Sequence, residues 1–270
     1  MGITEAIILG LVQGVTEFLP VSSTGHLVLV REFLTISDAD GLAFDAVLHF
    51  ATTVAIIIYF WSDLWRLLQT VLRRLGRLPV NRTEWDLFRA LVAGTIPAVV
   101  VGILVESYVA EYGRSAAVVA VVLVIAAIFF MYSEWRHFTE PRQGGMTIAR
   151  GFKIGLFQMF ALLPGMSRSG ITIGGGMLLG LSRTEAARFS FLLAIPITLG
   201  VGIKKTIDLI ALGEMVAWDM VAVGAGVAFF SALLVIHFFL AFIRRYTLWP
   251  FVWYSIGLAI LVGYTYVVSL

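Results

Sequence analysis

The chain has 270 residues, of which 60% are hydrophobic and only 13% charged, with a mean hydropathy of +0.95 and a formal net charge of +2. That balance excludes a soluble globular domain and leaves an all-α polytopic membrane protein, in which the placement of Lys and Arg matters more than their sum. The absence of cysteine excludes disulfides, thiol nucleophiles and thiolate metal sites.

The first element is a polar, glycine-punctuated phrase inside apolar sequence, GLVQGVTEFLPVSSTGH. Its first arm, Ile3 to Leu19, is near the lower limit for a span, and Leu27 to Leu34 beyond the break rises only about twelve ångströms at about 1.5 Å per residue. The region 3–36 therefore predicts a re-entrant helical hairpin. No basic leader or small-residue cleavage site precedes it, so it is expected to belong to the mature fold. Spans follow at about 44–61, 87–107 and 115–133. The intervening 62–86 loop keeps Leu64, Leu68, Val71, Leu72 and Leu75 on one helical face and arginines on the other, the pattern of an interfacial helix. The phrase then recurs 145 residues on as GLFQMFALLPGMSRSG, predicting a second hairpin over 152–181. Further spans are expected at about 186–204, 217–242 and 248–268.

Six transmembrane helices plus two re-entrant hairpins in an inverted-topology repeat follow from parity. Repeat one (1–134) and repeat two (150–270) of a single membrane domain each hold one hairpin that does not cross and three helices that do. Placing the 62–86 loop in the cytoplasm puts fourteen of the nineteen basic residues inside. Arg31, Arg114, Lys204 and Lys205 are left outside, and Arg168 falls in a hairpin. Non-helical backbone at membrane depth must be satisfied by protein or water, so both tips should line one cavity.

The polar residues of the tips are the candidate site. Gln13 and Glu17 share one face of the first arm. Glu17 can ligate a hard divalent cation, accept a proton, or pair with an arginine. Ser22, Ser23 and Thr24 offer hydroxyls for phosphate binding or nucleophilic attack, and Ser22 can equally cap a helix. His26, three residues beyond Ser23, is within one turn of it, as general acid–base work requires. In the second tip Gly165, Ser167, Arg168, Ser169 and Thr172 combine helix-start amides, hydroxyls and a guanidinium, the donor set an oxyanion such as phosphate needs. Arg168 can alternatively be read as a counter-ion to Glu17. Gly174, Gly175 and Gly176 permit close approach of a ligand or close helix packing. Asp45 and His49, four apart at the start of a span, are either support for the site or interface residues, and His237 reads as a packing residue. Tryptophans near span ends, such as Trp249 and Trp253, fit an aromatic belt.

The motifs QGVTE with PVSSTGH, and PGMSRSGIT with its continuation GGGMLLGLSRTEAARFSFLLAIP, resemble the bacterial undecaprenyl-diphosphate phosphatase family, also called bacitracin-resistance proteins. The resemblance covers nearly the whole chain, and its (E/Q)xxxE and PGxSRSxxT patterns are both complete. It implies removal of the terminal phosphate of undecaprenyl diphosphate in the bacterial cell membrane, with a divalent cation (Mg²⁺ or Ca²⁺) and a site facing the periplasm or exterior. Partners are then the prenyl substrate and membrane lipid, with no nucleic acid and a homodimer as the assembly to test. Within that frame Ser23 is expected as nucleophile with His26 as base, Glu17 as metal ligand and Arg168 as phosphate binder. Attack by His26 itself, or by water that it activates, stays open. Gln13, Ser22, Thr24, Gly165, Ser167, Ser169 and Thr172 are expected around the substrate. Paired hairpins are also transporter architecture, so flipping of an anionic prenyl phospholipid is the alternative function. The acid-phosphatase-like lipid phosphatases are disfavoured, since their extended arginine motif and aspartate-paired histidine are not evident.

Overall fold

The computed structural model describes residues 2–34, 36, 38–112, 116–139, 144–211 and 217–268. Arg114, residue 115 at the start of an expected span, and the Lys205 side chain lie outside the described residues. The regular structure described is entirely helical: α1 (Ile3–Thr16), α2 (Ser23–Leu34), α3 (Asp38–Tyr59), α4 (Trp61–Leu75), α5 (Arg82–Tyr112), α6 (Ala116–Thr139), α7 (Ile148–Met159), α8 (Arg168–Leu178), α9 (Arg183–Ala211), α10 (Trp218–Ile243) and α11 (Trp249–Val268). Four stretches are long and apolar enough to cross a bilayer: Arg82–Val105, Ala117–Thr139, Arg183–Lys204 and Trp218–Ile243. A fifth is counted if α3 and α4, which meet at a 74° bend, are taken together, while Trp249–Tyr264 of α11 falls among the shorter apolar helices. The chain is thus an all-α polytopic membrane protein.

Both broken helices stop for identifiable reasons. Pro20 has no N–H to continue α1, and the chain turns through Glu17–Val21 before α2 begins. In the second, α7 runs into a 3-10 turn at Phe160–Leu162, and Gly165 (φ +102°) then supplies a backbone angle L-residues rarely adopt. A side chain there would also stand 2.9 Å from the Val119 carbonyl.

The first arm of each hairpin packs against a distant helix, α1 on α10 and α7 on α5. Small residues allow both crossings: a Cβ on Gly10 would run into the Gly224 carbonyl, and one on Gly155 into that of Gly94. Close backbone approach of this kind is how helices gain dispersion contacts where lipid removes the hydrophobic drive to associate. Further major pairings are α6 with α11, α3 with α9 and α3 with α10. The largest buried cluster joins the end of α1 to α3, α8, α9 and α10 through Phe18, Phe60, Phe191 and Phe239, with Phe18 edge-on to Phe191 at 5.4 Å. Phe18 thereby anchors the residue next to Glu17.

Helix α4 covers the stretch for which an interfacial helix is expected. Leu68, Leu72 and Leu75 are exposed, as a lipid-facing stripe would be. Its polar face is tied down by Thr70 donating to Glu84 at 2.7 Å and by an Arg188–Asp63 ion pair to α9. The glycines of α8 resolve into packing: Gly174 abuts the Phe129 ring, Gly175 the Phe157 ring and Gly176 the Ala186 methyl.

Candidate active site

The two tips meet. Glu17 caps the C-terminal end of α1, and its Oε1 accepts from Arg168 Nη2 on α8 at 2.5 Å, across 151 residues of sequence. Its Oε2 accepts from Ser23 Oγ at 2.6 Å and from Gln13 Nε2 at 2.9 Å, and lies 3.2 Å from His49 Nδ1. Gln13 Nε2 is also 2.9 Å from His49 Nδ1. The His49 nitrogen therefore accepts from Gln13 when bare, or donates to Glu17 when protonated; one nitrogen cannot do both at once. The pairing is reinforced by Ser169 Oγ, which donates to the Leu19 carbonyl of the first tip at 2.9 Å.

Both tips start their second helix in the same way. Ser22 and Ser167 hold left-handed φ angles of 67° and 59°. The Ser22 hydroxyl accepts from the Gly25 amide at 3.3 Å and the Ser167 hydroxyl from the Gly170 amide at 3.2 Å. Holding a non-glycine residue in that conformation costs roughly 1–2 kcal/mol, which the caps offset. The resulting helix starts, Ser22–Thr24 and Ser167–Arg168, border a single cavity of ≈ 220 Å³ together with Glu17, His49, Gln158 and Gly165. Each helix N-terminus presents a partial positive charge of about half a unit, so two of them at one cavity favour an anion. Arg168 Nη1 is buried there and finds no hydrogen-bond partner among the described residues. An unmet guanidinium donor costs roughly 1–3 kcal/mol, which an anionic ligand would remove.

The expected site residues divide accordingly. Glu17, Ser22, Ser23, Thr24, Gly165, Ser167 and Arg168 line the cavity. Gln13 stands behind Glu17, and Ser169 is spent on joining the tips. Thr172 turns away to the Ser190 hydroxyl at 2.6 Å and the Arg168 carbonyl at 2.7 Å, because it lies one turn farther along α8.

Ser23 and His26, expected as a pair, are engaged separately. Ser23 donates to Glu17, whereas His26 Nδ1 lies 2.7 Å from the Ser22 carbonyl and Nε2 lies 2.6 Å from the Tyr254 hydroxyl. A carbonyl only accepts, so Nδ1 carries the proton and Nε2 offers its lone pair to Tyr254. Tyr254 stacks on the imidazole at 5.6 Å between centroids. Nothing marks Tyr254 in the sequence beyond an aromatic-rich stretch that also fits a membrane belt. Arg31, expected on the outer side, is buried and paired with Asp45 at 2.5 Å, a contact that locks α2 to α3. Glu134, also missed, is buried, accepts from Arg183 at 2.5 Å and from the Leu248 amide at 2.6 Å, and fixes α6, α9 and α11 together.

No group of three or more His, Cys, Asp or Glu residues is arranged to hold a metal among the described residues. Glu17 brings carboxylate oxygens to the cavity wall, while Gln13, whose Oε1 is buried with no hydrogen-bond partner among the described residues, stands behind it. A hard divalent cation accepts carboxylate donors when a ligand supplies further oxygens.

Comparison with known proteins places relatives along nearly the whole chain. The model of the family described as bacitracin resistance protein BacA matches residues 6–261. The chain is 41% identical over 258 residues to an undecaprenyl-diphosphatase of Alteromonas mediterranea, covering 96% of each chain. It is 40% identical over 262 residues to an undecaprenyl-diphosphatase of Rubrobacter xylanophilus, again covering 96% of each. A third undecaprenyl-diphosphatase, of Chromohalobacter salexigens, is 38% identical over 259 residues, or 95% of this chain and 96% of the relative.

Proposed function

Since the chain belongs to the bacitracin resistance protein BacA family, we propose that it hydrolyses undecaprenyl diphosphate to undecaprenyl phosphate and inorganic phosphate in the cavity between its hairpin tips. The observation that carries this reading is the Ser23–Glu17–Arg168 chain, which joins a hydroxyl, a carboxylate and a partly unsatisfied guanidinium at two helix N-termini.

The diphosphate sits against the Ser22–Thr24 and Ser167–Arg168 helix starts, and Arg168 Nη1 takes one of its oxygens. Ser23 Oγ attacks the terminal phosphorus. Its proton passes to Glu17 Oε2, to which it is already hydrogen-bonded, and undecaprenyl phosphate leaves. Water then attacks the phosphoseryl phosphorus and gives its proton to His26 Nε2, which must first leave Tyr254 and turn toward the cavity; the P–Oγ bond breaks, Ser23 Oγ takes its proton back from Glu17, and phosphate is released. Arg168 and the amides offset charge on the transferring group throughout. The Glu17 carboxylate, which lines the cavity, would hold the Mg²⁺ or Ca²⁺ ion alongside the substrate oxygens. Such an ion supplies charge neutralisation of the diphosphate when bound.

The finer architecture belongs to the same reading: six spans and two re-entrant hairpins in inverted repeats over 1–134 and 150–270, with the cavity opening outward. Reciprocal packing of α1 on α10 and α7 on α5, each through small residues, supports the repeat. The arginine-rich α4 supports its cytoplasmic placement.

Phosphate release in detergent, where no second compartment exists, tests hydrolysis against lipid flipping. Wild type is expected to release phosphate from long-chain prenyl diphosphate, and Ser23→Ala is not; release by neither would overturn the reading. Activity is expected to vanish in EDTA and return with Mg²⁺ or Ca²⁺. Full activity in EDTA would remove the cation.

A further inference from the structure

A second concavity, ≈ 690 Å³ and nearly free of polar atoms, lies between α4, α5 and α9. Among the described residues Thr95 is the one polar residue in its wall, and that hydroxyl is spent on the Leu91 carbonyl at 2.8 Å. The groove abuts the cavity at the hairpin tips. On α9, Ile195 and Pro196 line the groove while Ile197 and Thr198 line the cavity; on α5, Val99 lines the groove and Ala98 the cavity. Thr198 is three residues, about 4.5 Å of helix rise, beyond Ile195. Both helices carry an internal proline at this junction, Pro97 and Pro196, where the missing N–H interrupts the helical ladder. At the far end the groove is walled by Leu64, Leu67 and Leu68 of α4, so the interfacial helix also closes this channel. Val92, Ile96 and Val100 are about half exposed, which leaves one side open to lipid.

We infer that this groove is the binding track for the prenyl chain of the substrate. The inference rests on the proposed diphosphate site. A headgroup held between the tips must send its hydrocarbon somewhere, and the groove is an apolar surface beginning one helical turn from that site. The chain leaves one hydrocarbon environment for another, so the groove gains no transfer free energy from water; it gains packing contacts and a fixed direction. The track therefore contributes modestly to affinity and does so only for chains long enough to fill it.

The test uses the purified full chain in detergent and two substrates, undecaprenyl diphosphate and the two-isoprene geranyl diphosphate. Val92→Trp fills the groove toward its α4 end, Ile96→Trp fills it nearer the cavity, and Leu234→Trp places the same bulk on an exposed position of α10 as a control. The groove variants are expected to raise KM for undecaprenyl diphosphate about fivefold, the size of a packing effect in a bilayer-like medium. Val92→Trp should leave both constants for geranyl diphosphate at the wild-type value, which also shows that the variant is folded, and Leu234→Trp should change neither substrate. Equal changes for both substrates, or none for the long one in either groove variant, overturn the track and leave the groove to bulk lipid. Failure of wild type to release phosphate from either substrate would instead overturn the functional reading.

Discussion

At the first hairpin tip Ser22 (φ 67°) caps the amide of Gly25, and at the second Ser167 (φ 59°) caps that of Gly170, with a buried glutamine one arm back in each, Gln13 and Gln158. On this shared scaffold the side chains diverge. At the 145-residue offset Ser23 corresponds to Arg168, Glu17 to Leu162 and His26 to Ile171. One tip holds the hydroxyl, carboxylate and imidazole; the other holds the cation and the hydroxyl that clasps Leu19. The comparison separates two demands. Serine caps and small-residue crossings build two helix starts at one cavity, and the unlike residues on them set a hydroxyl and a carboxylate on one side and a guanidinium on the other, the division that the proposed phosphoryl transfer would use.

The comparison breaks most completely when the tips are made alike. Arg168→Ser gives the second tip the residue of the first, and phosphate release is expected to fall by about 10³-fold, the scale of losing a preorganised charge at a transferring group. A loss under tenfold in a steady-state assay would show that the asymmetry is not needed. Ser23→Ala is expected to cost roughly 10³-fold as well, and no phosphate-labelled serine should be trapped by rapid acid quench. A smaller effect probes the ring that only the first tip carries. Tyr254→Phe keeps the aromatic contact with His26 but removes its partner at Nε2, and kcat is expected to drop about fivefold with KM unchanged. An unchanged kcat would mean that the imidazole is positioned without it. The mildest changes sharpen the likeness: Ser22→Ala and Ser167→Ala should each lower stability by about 1 kcal/mol, read as similar small shifts in thermal midpoint. Strongly unequal shifts would show that the two caps are not equivalent.

The hairpin breaks and the polar tips were legible in the sequence because proline, glycine and clustered hydroxyls inside apolar runs have few structural uses. The helix at 61–75 was equally legible from its alternation of leucine and arginine faces. What stayed hidden depended on partners remote in sequence. Tyr254 looks like any belt aromatic until α11 brings it 228 positions back onto His26. Arg31 entered only the count of basic residues by side, and its pairing with Asp45, fourteen positions on, shows only in the fold. Thr172 and Ser169 belong to one motif, yet three residues of helix turn them to opposite neighbours, Ser190 and Leu19. The spacing of Ser23 and His26 allowed contact within one turn, but Glu17, six residues before Ser23, claims the hydroxyl instead.

The central claim is that the two tips form one site, with Glu17 and Arg168 acting together on the diphosphate. A double-mutant cycle of Glu17→Gln and Arg168→Met, read by single-turnover phosphate release from undecaprenyl diphosphate, addresses it directly. Strong non-additivity is expected, with the double variant no slower than the slower single one. Losses that simply multiply would mean that the residues work independently, contradicting a shared site.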